Sequence, residues 1–315
     1  MICVAANPSA DATFSVDRLE PGAIHRPTAY VRVAGGKAMN VARAAVRLGG
    51  EAAVVALAPE HGAAWLREEL EREGVTVETL PVPGVLRTCL SVFAADDGTL
   101  TEFYEGGAEI DAPTWTAFAE LAAGRARADR WLAACGSLPP GAPIDAYAQV
   151  VGAGREAGAP VAVDAAGPEL DVAAAAGPDL IKVNEAEALT ALGREAAEPG
   201  DQARAAELAA GLRERAAGRA RVIVTVGERG AVLAGPDGIV GARLDRPPSP
   251  YAVGSGDAFL AGVLCGRERG LDWEECMRLA IAAGAANAAQ PGQARLDPDL
   301  ARRYAAQVAI ERVRD

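Results

Sequence analysis

The sequence predicts an α/β protein built on a mostly parallel sheet, with a small separate β-layer packed over one edge. Short apolar runs alternate with Ala- and Glu-rich stretches from residue 113 onward, which is typical of parallel sheets covered by helices on both faces. Two earlier stretches, residues 12–34 and 88–104, alternate apolar and polar side chains, which favours half-exposed antiparallel strands. Because 50% of the 315 residues are hydrophobic, the chain can bury the core of one large domain.

Buried strands and helices are expected to follow one another in a definite order. A strand at residues 1–6 opens the chain and ends at a turn. After the first half-exposed strands, a helix is predicted at residues 39–48, closed by a pair of glycines. Further buried strands are predicted at residues 52–58, 130–135, 160–166, 180–184 and 221–227, and further helices at 65–74, 257–266 and 280–289. Residues 246–250, RPPSP, are expected to form a rigid connector inside the domain.

Composition and charge restrict the possible function classes. The chain carries 31 basic and 43 acidic residues, a net charge of −12, so its surface as a whole repels nucleic acid and anionic lipid. The 5 cysteines are scattered without the CxxC spacing of metal sites and are expected to be free and buried. Neither a signal peptide nor a membrane span is predicted, because apolar runs are short and interrupted. A cytoplasmic protein with a small-molecule partner is therefore expected.

The strongest chemical motif is the Gly-Ser-Gly-Asp turn at residues 254–257, which opens an apolar, helix-forming run. Gly254 and Gly256 allow a tight turn and bring bare N–H groups close to a ligand, at a helix N-terminus that favours an anion. Asp257 is the natural general base for a hydroxyl that attacks phosphorus. From these residues alone, a plain N-cap of a core helix explains Asp257 equally well.

A second candidate is the Gly35-Gly36-Lys37 segment, which is followed by Asn40. A glycine pair that opens a helix with Lys and Asn in its first turn can hold an anion and polar oxygens. The alternative is a tight turn with a solvated Lys37 and an Asn40 that only caps the helix. Taken by itself, the segment favours this second interpretation.

Two further groups of polar residues follow predicted strands, where open α/β sheets bind their ligands. Lys182 lies near the end of one strand, and Asn184 and Glu187 follow on the next turn, where their oxygens suit Mg²⁺ or its waters. The same pair matches a helix capping box, and the two roles do not exclude each other. After another strand, the Thr225 hydroxyl and the Gly227 N–H can line a nucleotide, although a simple hairpin turn is an equal explanation.

The order of the motifs along the chain resembles that of the ribokinase-like, PfkB-type carbohydrate kinases. These motifs are NPSAD, GGKAMNVARAAVRLGG, TEFYEGGAEI, GSLPPG, KVNEAEAL, VTVGERGA and VGSGDAFLAG. The resemblance extends from Asn7 to about Asn287 and looks strongest to the branch of 1-phosphofructokinase and tagatose-6-phosphate kinase. It implies one kinase domain over residues 1–315, a Rossmann-like three-layer sandwich of the ribokinase type, with lid strands inside the stretches 11–34 and 87–105.

The same resemblance implies ATP-dependent phosphoryl transfer to a hydroxyl of a sugar phosphate, with ATP and Mg²⁺ as cofactors. Catalytic roles are implied for Asp257 as the base and for the N–H groups of Gly254, Ser255 and Gly256 as the anion hole. Acceptor-binding roles are implied for Asp11, Gly36, Lys37, Asn40, Arg87 and Glu105. Roles on the ATP side are implied for Lys182, Asn184, Thr225, Gly227, Gly230 and Asn287. Water-mediated contacts to Mg²⁺ are implied for Asn184 and Glu187.

Four residues bear on the choice of acceptor. Lys37 and Arg87 are the implied contacts to a phosphate that the acceptor already carries. Ala38 stands where the family usually has Gly, and its methyl group adds bulk where the backbone approaches the sugar. Tyr104 stands in the expected lid where the 1-phosphofructokinase branch has the smaller Asn. The two departures leave the phosphoryl-transfer motifs intact but bear directly on which sugar fits.

Other functions remain open at this point. A kinase of an unphosphorylated sugar or a nucleoside would keep Asp257 as base without needing two cations for a phosphate. A non-catalytic regulatory protein that binds sugar or nucleotide would keep the fold, although the intact Gly-Ser-Gly-Asp turn speaks against it. A dinucleotide-dependent oxidoreductase is the weakest option, since no GxGxxG follows the first strand. A homodimer through the lid is expected, because exposed strand edges need pairing or cover.

Overall fold

The computed structural model describes residues 1–195, 200–246, 249, 251–290 and 292–314, so most of the connector expected at 246–250 lies outside the described residues. The strands are β1 (Ile2–Ala5), β2 (Ser9–Val16), β3 (Ala29–Gly35), β4 (Ala53–His61), β5 (Thr76–Val85), β6 (Arg87–Ala94), β7 (Leu100–Tyr104), β8 (Leu132–Cys135), β9 (Val161–Asp164), β10 (Leu180–Asn184), β11 (Arg221–Thr225), β12 (Ala231–Gly235), β13 (Gly238–Arg243) and β14 (Ala309–Arg314). The helices are α1 (Lys37–Arg47), α2 (Ala63–Arg72), α3 (Ala112–Ala123), α4 (Ala146–Glu156), α5 (Pro168–Ala176), α6 (Glu185–Ala191), α7 (Gln202–Arg215), α8 (Ser255–Glu268), α9 (Trp273–Ala288) and α10 (Pro298–Ala305). Each buried strand and helix predicted above overlaps one of these elements.

Ten of the described strands form one large sheet, in the order β14-β13-β12-β11-β10-β9-β8-β1-β4-β5. Neighbouring strands run parallel from β5 through β1 to β11. The pairs from β11 to β14 are antiparallel. The mostly parallel sheet predicted from the strand–helix alternation is therefore confirmed, and the carboxyl ends of its parallel strands meet at one edge.

Two hydrophobic clusters cover the two faces of the large sheet. Because successive side chains of a strand point to opposite faces, β1 places Cys3 and Ala5 in one cluster and Ile2 and Val4 in the other. Helices α1, α8, α9 and α10 contribute to the first cluster, and α3, α4, α5 and α7 to the second. The result is the three-layer α/β/α arrangement that was predicted.

Helix α8 is buried along most of its length, from Asp257 to Gly266. A helix that is apolar all round is stable only inside a core, and small residues let this one pack closely. At Gly262, a Cβ would lie 2.7 Å from the Cα of Ala280 in α9. This packing sets the N-terminus of α8 at the carboxyl edge of the sheet. No helix of the described residues combines the length and apolarity needed to cross a bilayer.

Four described strands form a second, smaller sheet, in the order β3-β2-β6-β7. The outer pairs are antiparallel, whereas β2 and β6 run parallel, with Asp11 opposite Cys89. The expectation of antiparallel strands is therefore wrong for the central pair. The physical reason is the path of the chain, which passes through β4, α2 and β5 of the large domain before it re-enters the lid in the original direction.

Candidate active site

A cavity of about 1030 Å³ lies between the lid, the carboxyl edge of the large sheet and the N-terminus of α8. Many of the residues predicted to act in the site line this cavity. They are Asp11, Gly36, Lys37, Asn40, Arg87, Lys182, Asn184, Glu187, Thr225, Gly227, Gly230, Gly254, Ser255, Gly256 and Asp257. Positions far apart in the sequence are thus brought together at one place, as the motif order implied.

The first turn of α8 is shaped to approach a ligand closely. Gly254 has a φ of 78°, which favours glycine, and a Cβ there would lie 2.8 Å from the nitrogen of Ala294. Because α8 begins at Ser255, the N–H groups of its first turn have no acceptor inside the helix. A Cβ on Gly256 would lie 2.9 Å from Nζ of Lys182. The N–H of Ser255 donates to the carbonyl of Ala252 at 3.1 Å, whereas the N-terminus of α8 as a whole favours an anion such as a transferred phosphoryl group.

Asp257 lies in this first turn and is only 7% exposed. The N-cap of α8 is Gly254, so the interpretation of Asp257 as a plain N-cap is wrong. Oδ2 of Asp257 accepts a hydrogen bond from Nδ2 of Asn40 at 2.9 Å. Burial, and after it the charge of the nearby Asp164, raises the pKa of Asp257 to about 6. A carboxylate that titrates this close to neutrality suits the role of a general base.

Asp164, the last residue of β9, is the centre of a buried ion-pair cluster that the sequence analysis missed. Its Oδ1 lies 2.8 Å from Nζ of Lys37, and its Oδ2 lies 2.8 Å from Nζ of Lys182. Burial alone would raise the pKa of Asp164, but the two ammonium groups outweigh burial and lower it. The available signal was a carboxylate at the end of a buried strand, where such sheets bind ligands.

Lys37 faces carboxylates and is not a solvated side chain. Besides Asp164, its Nζ contacts Oε1 of Glu187 at 3.3 Å. Burial lowers the pKa of Lys37, but the charges of Asp164, Glu187 and Asp257 together raise it above its ordinary value. The positive charge is therefore already balanced inside the site, which makes Lys37 a weaker candidate for holding an acceptor phosphate than the sequence suggested.

Asn184 and Glu187 form the capping box that their spacing allowed. The N–H of Glu187 donates to Oδ1 of Asn184 at 2.9 Å, and the N–H of Asn184 donates to Oε2 of Glu187 at 2.8 Å. In the part of the chain that the structure describes, no group of three or more His, Cys, Asp or Glu is arranged to hold a metal directly. Hard oxygens at the cavity wall nevertheless fit Mg²⁺ that keeps its waters and binds substrate phosphates.

Asp11 marks the lid side of the cavity. Its carboxylate accepts hydrogen bonds from Oγ of Ser9 at 2.6 Å and from the N–H of Gly36 at 3.4 Å. Burial raises the pKa of Asp11, and the hydrogen bond from Ser9 opposes that shift. A Cβ on Gly35 would lie 1.9 Å from Cγ of Asp11, so this glycine permits the close approach of strand and carboxylate.

Within the described part of the chain, Arg87 forms no salt bridge at this end of the cavity, although its charge acts on the nearby Asp11 carboxylate and opposes the rise that burial causes in the pKa of that group. Its guanidinium donates to the carbonyls of Asn7 at 2.9 Å, Pro8 at 3.3 Å and Glu105 at 3.2 Å. Among the described residues, no carboxylate lies within ion-pairing distance of it. Carbonyl contacts orient the guanidinium without neutralising it, so Arg87 is suited to an anionic group in the cavity.

The full chain was compared with known proteins. Residues 2–300 match the family described as pfkB family carbohydrate kinase. The chain belongs to this family. This carbohydrate kinase is 34% identical to 1-phosphofructokinase of Rhodobacter capsulatus over 284 residues, which are 89% of this chain and 87% of the relative. It is 31% identical to ATP-dependent 6-phosphofructokinase isozyme 2 of Escherichia coli, with 89% of each chain covered.

Solved structures of related proteins show the same fold. The phosphofructokinase-2 of Escherichia coli in complex with potassium superimposes with a TM-score of 0.88 at 27% identity, over 97% of this chain and 98% of that one. Both the resemblance to PfkB-type carbohydrate kinases and the predicted fold with a lid sheet are therefore confirmed. The kinase activity implied by the motif order is confirmed at the level of the family, a carbohydrate kinase.

Two residues implied as ligand contacts lie behind the cavity wall of this carbohydrate kinase. Oε2 of Glu105 accepts from the N–H of Thr88 at 2.6 Å, within the lid sheet. Asn287, fully buried in α9, donates from Nδ2 to the carbonyl of Val253 at 2.9 Å and to Oγ of Ser255 at 3.0 Å. Neither side chain lines the cavity: Glu105 contacts the lid backbone, and Asn287 contacts the turn that opens α8.

The opposite end of the cavity has the small, polar lining expected for a nucleotide. The Thr225 hydroxyl donates to the carbonyl of Val183 at 3.4 Å, and a short 3-10 helix follows at Gly227–Arg229. Gly230 has a φ of 102°, and a Cβ there would lie 2.1 Å from the carbonyl oxygen of Ala242. The same turn joins the antiparallel strands β11 and β12, so the hairpin interpretation is also correct.

The two positions that depart from the family pattern, Ala38 and Tyr104, both line the cavity of this kinase. Tyr104 and Asp11 each lie opposite Cys89 in the lid register, so the three residues share one face. The Tyr104 hydroxyl donates to Oε1 of Glu102 at 2.5 Å. The departures therefore lie in the lid sheet and in the first turn of α1, and neither lies in the turn at residues 254–257.

Proposed function

We propose that this carbohydrate kinase transfers the γ-phosphoryl group of ATP to a hydroxyl of a hexose phosphate. The observation that carries the proposal is the position of Asp257, a base with a pKa of about 6 in the helix turn that would hold the transferred group. The relatives named as phosphofructokinases support the same class of acceptor.

In this mechanism the acceptor hydroxyl attacks the γ-phosphorus in line, and its proton passes to Asp257. Because Oδ2 of Asp257 accepts from Asn40, Oδ1 is the oxygen available for that proton. A new P–O bond forms as the bond to ADP breaks. The N–H groups of Gly254 and Gly256, at the positive end of the α8 dipole, stabilise the charge that develops on the transferred group.

The cofactor contacts follow from the cavity lining. Mg²⁺, when bound, neutralises phosphate charge during transfer. Glu187 and Asn184 would hold it through water, since both side chains line the cavity and each of their oxygens can accept a further hydrogen bond from a bound water. Thr225 and Gly227, with the nearby Gly230, would line the phosphate and ribose of ATP at the opposite end from Asp11.

A phosphorylated acceptor is favoured over a neutral one by Arg87. Its guanidinium faces the acceptor side of the cavity with no carboxylate partner among the described residues, whereas Lys37 is balanced by Asp164 and Glu187. The three carbonyls and the more distant charge of Asp11 leave Arg87 without a directly paired anion in the described part of the chain, so an anionic ligand can form a charged hydrogen bond with it. The phosphate of a hexose phosphate would supply that charge, and a neutral sugar or nucleoside would not.

The experiment for this function is an acceptor panel with ATP and Mg²⁺, in which ADP release is followed with wild type and Arg87→Gln. The panel contains fructose 1-phosphate, fructose 6-phosphate, tagatose 6-phosphate, fructose, ribose and adenosine. We expect turnover with a hexose phosphate. We also expect the KM for that acceptor to rise roughly 10–100-fold in Arg87→Gln, the scale of a lost charged hydrogen bond.

The matched control is Arg32→Gln, an arginine of the same lid that stacks on Trp65 outside the cavity. Its acceptor KM should stay at the wild-type value. Turnover confined to neutral acceptors would reject the hexose phosphate and leave a sugar or nucleoside kinase. ATP binding without turnover on any acceptor would reject catalysis and indicate a regulatory protein.

We also propose that the kinase forms a homodimer through the lid face opposite Asp11. The register pairs Phe14 with Tyr30 and Leu90 with Phe103 on that face. Tyr30 is 74% exposed and Phe103 58%, an apolar surface that association would cover. Replacing Tyr30 and Phe103 together by Glu should weaken the dimer at least about tenfold. Sedimentation velocity over a concentration series measures this, and a monomeric wild type at micromolar concentration would refute the dimer.

A further inference from the structure

A fully buried arginine lies beneath the catalytic base. Arg43, in α1, donates from Nη1 to Oδ1 of Asn40 at 2.9 Å, and its Nε pairs with Glu73. A guanidinium carries only donors, so the amide oxygen of Asn40 must face Arg43. The amide nitrogen of Asn40 therefore faces the other way, toward Asp257.

Both hydrogens of that amide nitrogen are already used. Nδ2 of Asn40 donates to Oδ2 of Asp257 at 2.9 Å and to Oε1 of Gln293 at 3.2 Å. An amide nitrogen has two hydrogens, so Asn40 retains no N–H for a sugar. The acceptor-binding role that the resemblance implied for Asn40 needs a different donor at this position.

Gln293 provides such a donor. It is 5% exposed, lines the cavity, and its Cα lies 3.2 Å from where a Cβ on Gly254 would be. Its backbone carbonyl accepts from Nη1 of Arg43 at 3.4 Å. Because Oε1 of Gln293 accepts the hydrogen bond from Asn40, Nε2 is the remaining polar atom of its side chain. Nε2 makes no hydrogen bond within the described ranges of the chain.

Among the described residues, the buried side-chain atoms without a partner are Nε of Arg47, Nε of Arg213 and Oδ1 of Asn287. Nε2 of Gln293 is not one of them, so it is accessible from the cavity and can donate to a ligand there. The position next to Asp257 places Gln293 beside the acceptor hydroxyl that the base deprotonates. Gln293 and Asp257 both accept a hydrogen bond from the amide nitrogen of Asn40, a residue of α1. The N-cap of α1 is Gly36, a residue with an implied acceptor-binding role.

We propose that Gln293 binds the acceptor by donating a hydrogen bond from Nε2 to a sugar oxygen near the reacting hydroxyl. Arg43 acts as a positioning residue, because it orients the amide of Asn40 and, through it, both Asp257 and the amide of Gln293. This inference rests on the proposed kinase function of the cavity and adds a contact that determines which acceptor fits.

The test is Gln293→Leu, which keeps most of the side-chain volume and removes the donor. We expect the KM of the preferred acceptor to rise about tenfold, with the KM of ATP unchanged. Gln307→Leu, an exposed glutamine beyond α10, is the matched control and should leave both constants at wild-type values. An unchanged acceptor KM in Gln293→Leu, or a parallel rise in the KM of ATP, would overturn the proposal.

Arg43 is tested through its effect on Asp257, because a buried arginine also contributes to folding. Arg43→Lys keeps the charge, but a single ammonium group cannot reproduce the separate contacts of the guanidinium to Asn40, Glu73 and the carbonyl of Ala34. We expect its acceptor KM to rise and the acid limb of its pH–rate profile to move, both measured on protein shown to be folded by circular dichroism. A lowered melting temperature with a wild-type pH profile and KM would show a purely structural role and overturn this part.

The outcomes separate this inference from the function on which it rests. A wild type that phosphorylates a sugar phosphate while Gln293→Leu behaves as wild type rejects the inference alone. A wild type without turnover on any acceptor rejects the proposed function, and the inference falls with it.

Discussion

Replacing Asp257 by Asn should lower kcat by roughly 10²–10⁴-fold, the usual contribution of a positioned base. Asparagine has the same shape and can still accept the hydrogen bond from Asn40 that now reaches Oδ2. It cannot take up the proton of the attacking hydroxyl. The N–H groups of the α8 turn and the ATP-side loop remain in place, so ATP affinity should stay close to that of the wild type. Steady-state kinetics and titration calorimetry measure the two quantities.

The pH dependence of the wild type provides the second readout of the same prediction. Burial and the charge of Asp164 raise the pKa of Asp257 to about 6. A base acts only when deprotonated, so kcat/KM should fall as the pH drops through about 6 and should be level above it. The residual activity of Asp257→Asn should lack this acid limb. Near-normal turnover in the variant, or an identical acid limb, would show that another group is the base.

Local sequence patterns were sufficient for the elements whose geometry depends on near neighbours. The parallel sheet was predictable because strands buried on both faces have continuous apolar runs, as in residues 52–58. The turn at residues 254–257 was predictable because glycines directly before an apolar, helix-forming run are typical of a tight turn that opens a helix. The capping box of Asn184 and Glu187 was predictable from a spacing of three residues.

Contacts between distant segments were not predictable in this way. Lys37 looked like a free cation in the sequence because its partner Asp164 is 127 positions away. Gln293 had no local signal at all, since its contact with Asn40 spans 253 positions. The parallel pairing of β2 with β6 escaped notice for the same reason, because side-chain alternation shows that a strand is half-exposed but not which strand it joins.

The second prediction with a large expected effect concerns Asp164, the buried carboxylate that the sequence analysis missed. Asp164→Asn should lower the free energy of unfolding by about 3–5 kcal/mol, the scale for breaking a buried ion pair. The Nζ atoms of Lys182 and Lys37 each lie 2.8 Å from an oxygen of this carboxylate. A neutral amide at this position would leave both ammonium groups without their negatively charged partner. Lys182 is nearly inaccessible to solvent, so water cannot replace the lost charge. Urea denaturation near pH 7.5 measures the change.

Glu78→Gln is the control for this prediction, since it breaks an exposed pair with Arg125 that solvent screens, and its urea midpoint should hardly move.

The stabilising effect of Asp164 should also depend on pH in a definite direction. Because the folded state lowers the pKa of Asp164, its stabilising effect is present above the ordinary carboxyl range and is lost as the pH falls through the lowered pKa. The difference between wild type and Asp164→Asn should therefore be constant near neutrality and shrink in acid. Two results would contradict the prediction: a difference in the free energy of unfolding that grows in acid, or an Asp164→Asn variant as stable as Glu78→Gln. Either result would mean that the two lysines do not depend on Asp164 for their charge balance.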